Sequence, residues 1–192
     1  MQRWCFGIVS AFSFIIVMKN QYSNGKTETK ALIYHNVSVH HVKVIAELNP
    51  GTGIHISGLQ EQQAKELILK VCAALQSIGS DMPRRKVTVT IGGAWTDGMD
   101  SDQLVLPVAI AIYARHKEVM LDHDAYFLTG DLTLNGSLKV VPHSTELTDM
   151  AQRYTKKIFL PKQQYLQHLS RHQANAIPVD GLKDIIDYMD KF

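Results

Sequence analysis

The residues of this chain best placed to do chemistry are Ser101, Asp102 and Gln103, which lead straight into the apolar run Leu104–Tyr113. The first turn of a helix gathers unpaired backbone N–H groups, so such a junction suits a nucleophile or a bound anion. Pro107 sets the local geometry: it has no N–H and fits only near a helix start, which places Asp102 or Gln103 near the cap. An aspartate there also suits the helix dipole, so a structural cap accounts for these residues without any chemistry.

Histidines are the second candidate. His168 and His172 stand four residues apart, the spacing that brings two imidazoles to one helix face, but no third ligand accompanies them. His40 and His41 are neighbours on an expected strand and point to opposite faces. Both pairs read as solvated surface residues, and no metal is expected. The short basic runs Arg84-Arg85-Lys86 and Lys156-Lys157 are candidate nucleic-acid contacts, although such runs beside strands are usually solvated ends. Trp95 alone is too little for a base-stacking platform. No G-x-x-x-x-G-K-[ST] loop is present, which argues against ATP hydrolysis and leaves no cofactor or small-molecule substrate in evidence.

The elements that must position these residues come next. A length of 192 residues and 45% hydrophobic content suit one domain with a real core. The net charge of +2 exerts no strong pull toward nucleic acid or acidic membranes. Cys5 and Cys72 form neither a zinc spacing nor a redox pair, as expected of a reduced, cytoplasmic chain.

Residues 31–48 read as two strands with a kink near Asn36, and Gly51–Leu59 as a short strand. From Gln60 to Ile78 the apolar residues Ala64, Leu67, Ile68, Val71, Leu75 and Ile78 form one helical stripe, closed by Gly79. Residues 84–93 form a strand, and Leu104–Ala114 is apolar on every side, which predicts a buried helix. Residues 125–141 read as two strands joined by a two-residue turn at Asn135-Gly136. Then follow a helix over Ser144–Tyr154, a strand at 156–161, a helix over Gln163–Arg171, an extended piece at 175–180, and a closing helix carrying Leu182, Ile185, Ile186 and Met189. This order predicts an α+β fold, a mixed sheet backed by helices.

The segments IHISGL, RRKVTVTI, LPVAIAI, FLTGDLTLNGSLKVV and IFLP, in this order, resemble the N-terminal (ChlI-subunit) domain of ComM/YifB-type magnesium-chelatase-like AAA+ ATPases. The resemblance covers residues 30–192 and implies the Lon-protease-like variant of the second-domain fold of ribosomal protein S-five. It also implies a comparison with active Lon-type proteases, where a serine opens the central helix and a lysine activates it. Those positions fall at Val105 and Thr145, neither of which can serve, so a non-catalytic domain is expected. Ser101 with Lys139 is the remaining serine–lysine pair for a rewired peptidase, and nothing in the spacing brings them together. Asp131 matches an acidic position of the family motif and reads as a structural carboxylate.

The family's ATPase module and its role in DNA recombination or uptake are not matched by residues here. The expectation is therefore an interaction or assembly module whose partner is a ComM-type AAA+ ATPase or a second copy of itself, with DNA as the alternative partner. Residues 1–29 read as an extension. The uncharged run Trp4–Met18 is shorter than the roughly 20 residues of a membrane span and carries no Ala-x-Ala site, and Lys19–Lys30 reads as a linker. A start at Met18 instead of Met1 would remove the run, and no membrane association is expected.

Overall fold

The computed structural model describes residues 25–122, 124–167 and 175–190. β1 (Lys26–His35) and β2 (Ser38–Asn49) form a long antiparallel ladder from Lys26↔Glu47 to His35↔Ser38. The kink expected at Asn36 is a full reversal: Asn36 and Val37 both have positive φ, 47° and 63°, the pattern of a two-residue hairpin turn. β4 (Lys86–Gly93) pairs antiparallel with β2, and β3 (Ile54–Ser57) pairs parallel with β4, giving the order β1-β2-β4-β3. A second, parallel sheet holds β5 (Tyr126–Phe127), β6 (Lys157–Pro161) and β7 (Ala176–Val179). The two sheets are stitched together where Leu128 donates to Lys30 O at 2.9 Å and accepts from Leu32 N at 3.1 Å.

Five helices cover these sheets among the described residues: α1 (Glu61–Ser77), α2 (Val105–Lys117), α3 (Ser144–Arg153), α4 (Lys162–Gln167) and α5 (Leu182–Met189). The period of two along β1 sends Ala31 and Ile33 into one core and Leu32 into another. On the first face α1, α2 and α5 pack over the four-stranded sheet in a large apolar core. On the opposite face α3 closes a smaller core of Leu32, Phe127, Val141, Leu147, Ala151, Ile158, Leu160 and Ala176. α2 runs through the large core up to Ala114; Val105, Leu106, Val108, Ile110 and Ile112 are all buried, as the all-round apolar sequence of this part requires. The fold is α+β, with a mixed sheet backed by helices.

Two expectations need correction. Residues 26–30, expected in a linker, are the first rungs of the β1–β2 ladder, and Thr29 is buried with its hydroxyl donating to Pro107 O at 3.2 Å. The Asn135-Gly136 hairpin shrinks to a single bridge, Leu132↔Leu138. Gly136 alone takes a positive φ, 80°, and the turn is a wider loop in which Thr133 accepts from Gly136 N and donates to Ser137 O. The ladder stops because the returning chain has other partners: Leu138 N donates to Asp180 O at 3.0 Å, and Gly136 O accepts from Leu182 N at 2.8 Å. A Cβ at Gly181 would stand 2.4 Å from Gly136 O, so this crossing needs a glycine. The N-terminal run, Cys5, both candidate start sites and the part of the expected Gln163–Arg171 helix after 167, with His168 and His172, lie outside the described residues.

Candidate functional site

The start of α2 is built in two steps. Asp100, not Asp102 or Gln103, is the cap: its carboxylate accepts from Asp102 N at 3.0 Å and opens a 3-10 turn over Ser101–Leu104, after which the α-helix begins at Val105. Pro107 cannot donate to Gln103 O, four residues back. Gly130 N takes that place at 3.1 Å, while Gly130 O accepts from Leu106 N at 3.0 Å. Thus the backbone of the Thr129-Gly130-Asp131 segment completes the first turn that the proline leaves open. Gly130 holds φ at 124°, and an added Cβ would meet Leu138 Cδ1 at 3.0 Å. The Gln103 side chain grips the other side: its Oε1 accepts from Tyr34 N at 2.9 Å and its Nε2 donates to Tyr34 O at 3.2 Å.

This docking delivers four charges to one place. Lys70 of α1 reaches Asp102 Oδ1 at 2.6 Å and Asp131 Oδ2 at 3.0 Å, and Lys139 reaches the same Asp131 oxygen at 2.6 Å. The four residues come from α1, the 3-10 turn and both sides of the 133–137 loop. Burial alone would lower the Lys70 pKa, but its bonds to Asp102 and Asp131 outweigh this and hold the ammonium above the ordinary lysine value. The other oxygen of Asp131, Oδ1, is buried with no hydrogen-bond partner among the described residues.

Chemically the quartet is a network of two lysines and two aspartates centred on Asp131. Lys139 does come into the network that contains Asp102, the neighbour of Ser101, contrary to what the spacing suggested. It arrives as the ion-pair partner of Asp131, whereas a general base must be a neutral amine. Val105 is fully buried in the large core as the first residue of α2. Thr145 is exposed on the first turn of α3, a helix that packs on β1, β2 and β6 rather than on α2. Val105 and Thr145 therefore stand on different helices, the first buried in the large core and the second exposed on the opposite face. Lys70 went unnoticed in the sequence because it reads as one more polar residue beside the α1 stripe. The available signal is that position 70 stands three residues after Leu67 and four before Ala74, so a lysine there lies at the rim of the apolar face.

The basic residues fall in two separate places. Arg84, Arg85 and Lys86 are exposed at the start of β4 in the first sheet. Lys156 and Lys157 lie at the start of β6 in the second, with β2, β1 and β5 between the groups. Lys156 Nζ sits 5.0 Å from the Phe127 ring centre and 3.5 Å from Asp124, and Lys157 donates to the Tyr188 hydroxyl at 3.0 Å. His40 and His41 take opposite faces: His40 lies beside His35, and His41 packs edge-on against Phe127 and Tyr154. Among the described residues no three His, Cys, Asp or Glu side chains group as metal ligands, and no helix is long and apolar enough to cross a membrane. Trp95 packs partly buried against the large core.

Comparison with known proteins bears on the same region. The family model described as subunit ChlI of Mg-chelatase matches residues 38–164, more than half of the chain, with Lys70, Asp102, Asp131 and Lys139 inside the match. The chain is 30% identical over 111 residues to a protein of Escherichia coli (strain K12) called "Uncharacterized protein YifB", covering 57% of this chain and 22% of that protein. The protein of that name from Salmonella typhimurium (strain LT2) is 28% identical over 109 residues, or 56% of this chain and 21% of its own length. The match therefore spans about a fifth of these curated relatives.

Proposed function

Because this chain belongs to the family of the Mg-chelatase subunit ChlI, we propose that it works as a non-catalytic interaction or assembly module of magnesium-chelatase-like AAA+ systems. The domain is read as the Lon-protease-like variant of its fold, with the active-site scaffold turned to packing. The observation that carries this is the start of α2. The position for a nucleophile is a fully buried valine, and the nearby lysines are bound to Asp102 and Asp131. Strongly exposed apolar side chains, Leu69 at 69%, Leu134 at 67% and Val140 at 72%, lie on or beside the elements that supply the quartet and offer apolar contact area. The partner is a ComM-type AAA+ ATPase or a second copy of the chain, in a setting of DNA recombination or uptake. Pull-down with a ComM-type ATPase, together with light scattering of the purified protein, tests this. Association in either experiment supports it, and a monomer that captures no motor overturns it.

A second reading, direct contact with DNA, rests on the consecutive exposed cations Arg84, Arg85 and Lys86. Lys156 and Lys157 contribute less to it, since both already hold intramolecular partners. Binding of single-stranded DNA should then weaken steeply with salt, and no binding at low salt would rule it out.

A further inference from the structure

His41 occupies an unusual position on β2. Its ring is packed edge-on between Phe127, at 5.0 Å, and Tyr154, at 4.7 Å. Its Nε2 is buried without a hydrogen-bond partner among the described residues. The charges that bear on it are Lys30 from β1 and Lys156 from the turn after α3. Both lysines lie on Asp124, at 2.5 and 3.5 Å, ahead of β5. Lys43, two residues along the same face of β2, is paired with Glu28 of β1 at 3.5 Å, and Arg153 ends α3. Burial, then Lys156, then Lys30 hold the imidazole below the ordinary histidine value.

What His41 touches is itself under strain. α3 ends in a turn where Thr155 N donates to Gln152 O and Lys156 N to Ala151 O, both at 2.9 Å. Thr155 sits there at φ 56°, a left-handed conformation that a β-branched residue adopts only under constraint. The constraint comes from both sides: Tyr154 packs on His41 and Phe127, and Lys156 lies over the Phe127 ring. Two rings thus hold the turn on the sheet, His41 and Phe127, and of these only His41 can take up a proton.

We propose that His41 is an acid-sensitive latch, holding the 154–156 turn on the sheet as a neutral ring and releasing it on protonation. Above the ordinary histidine value of about 6.5 the ring is neutral both docked and released, and the latch is at full strength. As pH falls through that value the released form takes up the proton first, so docking weakens until the docked ring also protonates and the loss levels off.

Amide exchange on the whole protein tests this, with protection corrected for intrinsic rates. Between about pH 7.5 and about pH 5, protection of Thr155 and Lys156 should fall roughly tenfold, while that of Ile110 and Ile112 in α2 holds. His41→Phe keeps a ring in the box and should abolish the fall. Thr155→Gly, by relieving the strain, should delay release to lower pH. An equal fall in His41→Phe, or none in the wild type, overturns the proposal. If His41→Phe does not fold, wild-type NMR decides: the His41 and Tyr154 ring signals must titrate with one midpoint, and different midpoints overturn it.

Discussion

The two faces of the β1–β2 hairpin solve the same problem differently. On the α2 face a large apolar core ends at a rim where Lys70, Asp102, Asp131 and Lys139 are bound to one another. On the α3 face a smaller core ends at His41, a polar ring whose inner nitrogen has no partner among the described residues. The first rim is secured because three chain segments converge on it and each brings a charge. The second is made by His41 of β2, Phe127 of β5 and the turn after α3, and aromatic packing substitutes for hydrogen bonds. Paired charges keep their state across ordinary pH, whereas an unpaired imidazole does not. So one face is built to persist and the other to respond.

The largest test of this contrast is core truncation. Ile110→Ala in α2 should cost about 2–5 kcal/mol, toward the upper end because sheet and helices surround the site and cannot collapse into the space. Leu147→Ala in α3 also removes a fully buried side chain, but α3 rests on one small cluster and can settle, so its cost should lie toward the lower end. Denaturant unfolding of both variants checks this, and equal costs would break the contrast.

The quartet comes next. Asp131→Ala strips Lys139 of its ion-pair partner and leaves Lys70 with Asp102 alone, which should cost about 1–3 kcal/mol. Asp102→Ala leaves both lysines on Asp131, and Asp102 is half exposed, so its loss should cost less. Thermal unfolding of the two variants ranks them, and the reverse order would show that Asp131 is not the hub.

A smaller effect appears with pH, and its α3-face share comes from His41. The depressed His41 value means the unfolded chain binds the proton more readily than the native one, so stability should drop as pH falls below about 6.5 and level off below the native value. His116 is lowered too, first by burial and then by Lys117, with Asp81 opposing, so it adds to the same window. His41→Phe should flatten the curve only in part, leaving the His116 share; urea midpoints across that range show whether the two shares divide as stated.

How much of this was readable depends on the range of the interactions. The α1 stripe, the all-apolar α2 and the closing helix are local periodicities, and the structure keeps each within a few residues of its predicted bounds. The β1 start was missed because Lys26–Lys30 is polar by composition, yet that segment pairs with β2, and Thr29 bonds to Pro107, far along the chain. The Asn135-Gly136 turn was misjudged because the backbone groups after it are claimed by Asp180 and Leu182, which no local pattern reveals. The quartet was half legible. Asp102 and Asp131 stood in noticeable motifs, but Lys70 became meaningful only when α1 was laid against α2.

The smallest expected effect lies at the tip shared by both faces, and its sign is reversed. Val37 sits at φ 63° in the β1–β2 turn and is 87% exposed, so its side chain gains little from the fold. A β-branched residue in the left-handed region is strained by roughly 1–2 kcal/mol, while Asn at the neighbouring Asn36 tolerates the same region. Val37→Gly should therefore stabilise the protein by about 0.5–1 kcal/mol, the relief of strain being partly offset by the extra freedom glycine has when unfolded. Thr155→Gly should give a gain of similar size on the α3 face at neutral pH. If thermal unfolding shows both gains, strain is spread over the molecule and only the titratable ring distinguishes the responsive face. If Thr155→Gly gains nothing while Val37→Gly does, the docking of Tyr154 and Lys156 already compensates the strain, and the difference between the faces is one of packing rather than of charge.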